Sequence, residues 1–340
     1  MKIDQIIVLK ETRAGEARVA LTPTAVSSLA AKQYRVMIES EAGILAGFSD
    51  DEYIQAGARI FKLGSACFPS QSLLLRVKRP NEARELLENK LMPSSTVMMG
   101  FLDSLDDDLT HIANWQALGI STIPLELLNL TADDPKNAQA AMSRFAGQLA
   151  LQDALHHYRG SSPKRVTVLG TGPAGMSAAL AARSLQLPVQ LFGRKERYRE
   201  AVEAAGITYH VLPLTDQAAF IRAHLSQETI IITAAGSTGE RAPLLIDTAS
   251  LAILSPNAVI VDLSNGQGGN VVGSKKDEMV ITNRGISIIN VSGYPKAEPK
   301  DASEAFAQCM VNLLLEVMAP DGEIFWNNPL LCKLKLPVTG

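Results

Sequence analysis

Between Lys164 and Phe192 the chain leaves little choice of fold. Lys164-Arg165-Val166-Thr167-Val168-Leu169 has the β-branched, apolar composition of a buried strand. Gly170-Thr171-Gly172-Pro173-Ala174-Gly175 follows at once, then the alanine-rich run 176–185, then a second strand pattern at Val189–Phe192. Glycine spacing of this kind is a weak signal alone. Strand, loop, helix and strand in register identify residues Arg165 to Arg194 as a dinucleotide-binding β-α-β unit. Gly170 permits a tight turn, Gly172 lets a pyrophosphate approach the backbone, and Gly175 lets helix and strand pack closely. The helix N-terminus adds unpaired N–H groups and the positive end of its dipole. The expected ligand is therefore NAD(P)(H), held by Gly170, Thr171, Gly172, Pro173, Ala174 and Gly175.

The tip of the second strand narrows the ligand further. About 20 residues beyond the glycines, an NAD site usually carries Asp or Glu to bond the ribose hydroxyls. Here that place is Gly193, followed by Arg194, Lys195 and Arg197. Removing a carboxylate and adding cations favours a 2′-phosphate, so the expectation is a preference for NADP(H). The competing reading is that these cations only dress a solvated helix start. Ala235 and Gly236, after the strand pattern Ile230–Thr233, complete the expected cofactor-binding set.

At 340 residues the chain is long for one core. Before the glycine loop, strand patterns at Ile6–Leu9, Tyr34–Ile38, Ser72–Val77, Thr96–Phe101 and Ile120–Pro124 alternate with helical ones. Thr22 as N-cap and Pro23 as first residue open one helix, and Asp50–Ala56 forms another. Asp134 and Pro135 are expected to open a long helix with Ala138, Met142, Phe145, Leu149 and Ala150 near one face, ended by Gly160. Further strands are expected at Val259–Leu263 and Ile286–Val291, and a helix at Glu304–Met318 with Phe306, Met310, Leu313, Leu314 and Val317 inward. The fold class is α/β, two doubly wound Rossmann-like domains.

A formal charge of −3 gives no general attraction for nucleic acid or anionic lipid, so neither is an expected partner. No apolar run has the ~18 residues of a membrane span and Met1–Gln5 does not begin a signal peptide, so the expected location is cytoplasmic. Cys67, Cys309 and Cys332 lie far apart and read as buried reduced thiols. The five histidines lack metal-ligand spacing, and no metal is expected.

Several segments together resemble the alanine dehydrogenase / NAD(P) transhydrogenase α-subunit family over nearly the whole length. Glu11-Thr12 with Gly15-Glu16-Ala17-Arg18-Val19-Ala20-Leu21-Thr22-Pro23 is similar to its N-terminal signature, and Leu73–Pro80 to its LLLKVKEP strand. Met142–Gly147, Val261-Asp262-Leu263-Ser264 with Gly268-Gly269, and Tyr294-Pro295 with Pro299-Lys300 and Ser303 match later motifs. The resemblance implies a catalytic domain from both chain ends (1–128 with 305–340), an inserted dinucleotide domain (129–304), a cleft between them, and a homodimer or higher homo-oligomer.

It also implies roles for three residues. Arg18 takes the place of the arginine that binds an oxo-acid carboxylate, and Lys78 that of the lysine on its carbonyl side. Asp103, in Phe101-Leu102-Asp103, stands where the family has an acid/base histidine, and Gly266 where it has an aspartate. Oxidising an amino acid requires proton transfers, so alanine dehydrogenase chemistry is disfavoured unless Asp103 takes over. Hydride transfer between two nicotinamides needs no such group. The C-terminal half also resembles the transhydrogenase soluble domain, which makes that reaction the leading reading. Two departures oppose it. The nicotinamide-gripping Arg, Gln and Asp of that family appear as Asn129, Asp134 and Asn137, and its soluble domain binds NAD(H). The reading would also require separate membrane and NADP-binding subunits. The alternatives are an alanine-type dehydrogenase using Arg18 and Lys78, and a non-catalytic nucleotide sensor.

Overall fold

Successive residues of a strand face opposite sides of a sheet, so a strand apolar throughout needs cover on both. Val259, Ile260 and Val261 are all fully buried, as are Ile230, Ile231 and Ile232. The computed structural model of the protein resolves how. Val259, Val261, Ile230 and Ile232 join one cluster, while Ile260 and Ile231 join another. Helices therefore cover both faces, which is the doubly wound arrangement. The structure describes residues 2–64, 68, 69, 71–236, 240–264, 266, 268–332 and 334. Cys67, one of the three cysteines read as buried thiols, lies outside these residues.

The chain forms two compact units, Met1–Met142 with Lys296–Gly340, and Ser143–Pro295. The first holds β1 (Gln5–Val8), β2 (Val36–Glu39), β3 (Arg59–Phe61), β4 (Ser72–Lys78), β5 (Val97–Phe101) and β6 (Ser121–Pro124). Their order is β3-β2-β1-β4-β5-β6, with every pair parallel. Its helices are α1 (Pro23–Ala30), α2 (Asp50–Gln55), α3 (Glu82–Leu91) and α4 (Thr110–Ala117), and it shares α5 (Ala138–His157) with the second unit. Thr22 caps α1 by accepting from the Ala25 N–H, with Pro23 in the first turn.

The second unit holds β7 (Val166–Leu169), β8 (Val189–Gly193), β9 (Thr208–Val211), β10 (Ile230–Thr233), β11 (Val259–Asp262), β12 (Met279–Ile281) and β13 (Ser287–Ile289). The order is β12-β13-β11-β10-β7-β8-β9, parallel except for β12. Helices α6 (Pro173–Ser184), α7 (Arg199–Ala204), α8 (Gln217–Arg222) and α9 (Thr248–Ile253) flank it. Each sheet thus reverses its strand order once, between β1 and β4 and between β7 and β10. Beyond the carboxyl ends of the strands at such a reversal is where open α/β sheets bind ligands.

Helix α5 begins at Ala138, not at the expected Pro135. The Asp134 carboxylate accepts from the Lys136 N–H within a turn, and Asn137 is the residue that accepts from the Ala140 N–H. The helix ends at His157, short of Gly160. Its expected face is only partly inward: Ala138, Met142 and Ala150 are buried, but Phe145 and Leu149 are half-buried. Leu151 and Ala154 are fully buried instead. The final helix, α10 (Pro299–Val317), starts five residues ahead of the expected Glu304 and buries the predicted face. Ser303 there accepts from the Val19 N–H, and Glu304 from the Thr22 hydroxyl. These bonds tie the start of α10 to the first unit. Cys309 is buried, but Cys332, expected to be buried, is exposed in a turn beyond α10. Among the described residues no helix is long and apolar enough to cross a membrane, and no three His, Cys, Asp or Glu converge as metal ligands.

Candidate functional site

The glycine loop leaves the end of β7 in the second unit. Gly170 has φ +116°, a conformation L side chains rarely adopt, and a Cβ there would lie 2.4 Å from the Ala234 carbonyl oxygen. At Gly175 a Cβ would lie 1.9 Å from the Gly170 oxygen. Gly172 has nothing within 4 Å of that position: its face is open. It is also the N-cap of the 12-residue α6, without a side-chain cap, and Pro173 has no N–H to offer. The N–H groups of Ala174 and Gly175 therefore face outward with the helix dipole, a seat for an anion. Behind them, α5 comes so near that a Cβ on Gly147 would lie 2.0 Å from the Ala174 carbonyl oxygen. A glycine inside a helix costs about 1 kcal/mol against alanine. This one is used for the close approach.

A cavity of about 380 Å³ opens here, bounded by the loop, the ends of β8 and β10, and Ala234, Ala235 and Gly236. Gly193 lies on its edge, and its φ is not in the left-handed region. Space, rather than backbone freedom, requires glycine: a Cβ would lie 2.4 Å from Thr171 Cγ2 and 2.5 Å from the Tyr209 hydroxyl. Arg194 and Lys195 are exposed on the same wall, and neither has an acidic partner among the described residues. Glu196 is occupied by Arg199. Arg241 adds a third cation to the lining, against the one carboxylate of Glu240.

The opposite wall is held from below. Asn270 is fully buried. Its amide oxygen accepts from the Ala235 N–H at 3.1 Å, and its amide nitrogen donates to the Ala235 and Pro243 oxygens at 2.8 Å each. Its backbone N–H donates to the buried Asp262 carboxylate, which also accepts from the Thr233 hydroxyl and the Ser264 N–H. One side chain so pins the segment after β10 to the end of β11. Buried polar groups this completely paired hold a single geometry.

The first unit gathers charge at its own strand ends. Glu11, just past β1, accepts from the N–H groups of Val77 (2.6 Å) and Lys78 (3.2 Å), where the β4–β5 register shifts. Burial pushes its carboxyl up to about 7, against the lowering charge of Arg76. Lys78 is held below the ordinary lysine value, first by burial and then by the charges of Arg18 and Arg13, while Asp103 works the other way. Its ammonium lies 4.9 Å from the Phe101 ring centroid. Both oxygens of Asp103 are taken by Arg13, at 3.0 and 2.9 Å. Arg18 is buried and makes a two-pronged pair with Glu16, at 2.7 and 2.6 Å. Burial alone would raise the Glu16 carboxyl, but the Arg18 bonds and charge hold it below the ordinary range.

Comparison with known proteins gives the chain a family. Residues 137–337 match the family described as alanine dehydrogenase/PNT, C-terminal domain, and residues 7–146 match its N-terminal domain. The chain belongs to the alanine dehydrogenase/PNT family. With that family it is an NAD(P)-dependent oxidoreductase. It is 25% identical to an NAD(P) transhydrogenase alpha subunit of Rickettsia prowazekii, over 96% of this chain and 93% of that one. It is 27% identical to the alanine dehydrogenase of Mycobacterium tuberculosis, over 90% and 85%. The solved transhydrogenase from Sinorhizobium meliloti superposes with TM-score 0.82 at 25% identity, covering 91% of this chain and 92% of that one. An L-alanine dehydrogenase structure gives 0.79 at 26%, covering 92% and 90%.

Within this alanine dehydrogenase/PNT chain, the residues expected from sequence fall into two groups. Gly170, Thr171, Gly172, Gly193, Arg194, Lys195, Ala235 and Gly236 line one cavity, with Pro173, Ala174 and Gly175 forming the helix start beside it. Lys78, Asp103 and Arg18 are near enough to act on one another's charge, but Asp103 and Arg18 already have partners. Sequence reasoning passed over Glu11, Arg13, Gly147, Tyr209 and Asn270 as working residues. A mid-helix glycine was a usable signal for Gly147. Nothing local marked Tyr209 or Asn270.

Proposed function

We propose that this chain binds NADP(H) in preference to NAD(H) along the glycine loop of its second unit. It would act as the soluble α-type component of a hydride-transferring system, passing hydride between nicotinamides. The bound nucleotide would supply the hydride chemistry. The chain's own residues bind and orient it: Ala174 and Gly175 N–H groups at the pyrophosphate, Arg194 and Lys195 at the 2′-phosphate, and Ala235 and Gly236 along the far wall.

The observation that carries the choice of reaction is the Arg13–Asp103 pair. Dehydrogenation of an amino acid needs a group free to take and return a proton. The residue in the place of the family's histidine has both oxygens engaged by a guanidinium, and Arg18, the expected carboxylate fork, is closed on Glu16. Transfer between two nicotinamides adds no proton to a substrate heteroatom and tolerates this. The relatives named as transhydrogenase α subunits support the same reading and, as subunits, the presence of partners; the sequence resemblance adds that these would be membrane and NADP-binding subunits. A homodimer or higher oligomer, acting in the cytoplasm, fits that assembly.

The test is to mix the purified chain with the NADP-binding partner subunit of a transhydrogenase, NADPH, and an oxidised analogue of either NADP or NAD. Faster reduction of the analogue than with either protein alone is expected. Turnover of pyruvate and ammonia instead, without any partner, would replace this reading with the alanine-type dehydrogenase. Tight nucleotide binding with neither activity would favour a sensor.

A further inference from the structure

The edge of the cofactor cavity has been filled rather than merely emptied. A glycine in place of the usual acid could leave a gap, into which water or a ribose hydroxyl would settle. Here the gap is closed by two side chains from different elements. Thr171, inside the glycine loop, sends Cγ2 to 2.4 Å from the Cβ position of Gly193, and Tyr209 on β9 sends its hydroxyl to 2.5 Å. The two are not equally yielding. Thr171 can turn about χ1. Tyr209 is 3% exposed, its ring belongs to the core cluster beside Leu191 and Val202, and its hydroxyl donates to the Lys195 carbonyl oxygen at 2.9 Å. Moving that hydroxyl costs core packing and a hydrogen bond together.

The same bond has a second consequence. Lys195 carries one of the cations of this wall, without an acidic partner among the described residues, and its backbone is anchored by Tyr209. The turn Arg194–Lys195 is therefore held at the edge of the cavity, with both residues exposed. We infer that Tyr209, assisted by Thr171, sets nucleotide choice: it occupies the space an acidic side chain would need and fixes the basic turn that receives a 2′-phosphate. Tyr209 acts through Lys195 and is a positioning residue, not a catalytic one. The inference rests on the proposal that the second unit takes NADP(H). It adds that selectivity resides in β9, a strand outside the glycine fingerprint.

The experiment measures dissociation constants for NADPH, NADH, 2′,5′-ADP and 5′-ADP by fluorescence or calorimetry, with thermal melting of every variant. The full-length chain is used throughout. Gly193→Asp alone should weaken NADPH at least tenfold and gain nothing for NADH, because its side chain meets Tyr209. Combining it with Thr171→Ser and Tyr209→Phe makes room, and NADH should then bind at least tenfold tighter than to Gly193→Asp alone. Tyr209→Phe alone keeps the ring in the core. It should lower the 2′,5′-ADP over 5′-ADP ratio severalfold, and a purely structural role would move both affinities equally. NADH affinity gained by Gly193→Asp without the other two changes, or an unchanged ratio in Tyr209→Phe, overturns the inference. If instead the unaltered chain prefers NADH, the NADP(H) proposal fails. In that event the comparison of single and triple variants still reports whether Tyr209 guards the site.

Discussion

Replacing Glu11 by glutamine keeps the shape of a buried side chain and removes its proton. The carboxyl sits at about 7 in the fold against an ordinary 4.5, because burial outweighs the help it receives from Arg76 and from the Val77 and Lys78 N–H groups. A group whose folded value is raised binds more protons folded than unfolded. Its contribution is therefore fully present below pH 4.5 and is lost as pH rises through about 7. Over that span the change is about 3 kcal/mol, at 1.36 kcal/mol for each tenfold step. Glutamine turns a donor toward one of the two backbone N–H groups, a constant cost of about 1–3 kcal/mol. Urea unfolding midpoints of both proteins at pH 5, 6, 7 and 8 separate these effects. The advantage of the unaltered chain should shrink as pH rises and vanish or reverse by pH 8, since only that chain loses stability through Glu11. A constant advantage, or one that grows with pH, would refute the assignment of burial as the dominant cause.

Four further outcomes follow from the geometry. Gly147→Ala should raise intrinsic helix propensity by about 1 kcal/mol, yet weaken nucleotide binding at least tenfold in a fluorescence titration, because the new methyl meets the Ala174 carbonyl at the anion seat. Asn270→Ala strands the Ala235 and Pro243 backbone groups and should cost about 3 kcal/mol by chemical denaturation, with a matching loss of nucleotide affinity. Asp103→Asn removes the charge that supports the Lys78 ammonium, so competitive amine labelling of Lys78 should begin at lower pH than in the unaltered chain. Arg194→Ala with Lys195→Ala should flatten the salt dependence of NADPH binding while leaving that of NADH nearly unchanged, as read by titration at two ionic strengths.

Much of the fold was legible because it is encoded locally. Strand β7, the Gly170–Gly175 turn and α6 are adjacent in sequence, and their register is fixed by residue type within a few positions. Strand β10 was read to its ends for the same reason, from an unbroken β-branched run. Where two local signals competed, reading failed. Asp134-Pro135 resembles a helix start, yet Asp134 closes a turn and Asn137 performs the capping. The short elements α7, α8 and β9 carry too little periodicity to be distinguished from loops.

The glycine loop and the basic run after Gly193 were legible in the sequence itself, since each is a contiguous segment. What surrounds them was decided only in three dimensions. Tyr209 reaches Gly193 because parallel pairing sets β9 beside β8, and Asn270 reaches Ala235 because β11 lies beside β10. Arg18, Lys78 and Asp103 were found from motifs, but only folding revealed Glu16 and Arg13 as the partners that occupy two of them. A residue type states what a side chain could bind. The tertiary structure settles whether that capacity is left open or already used.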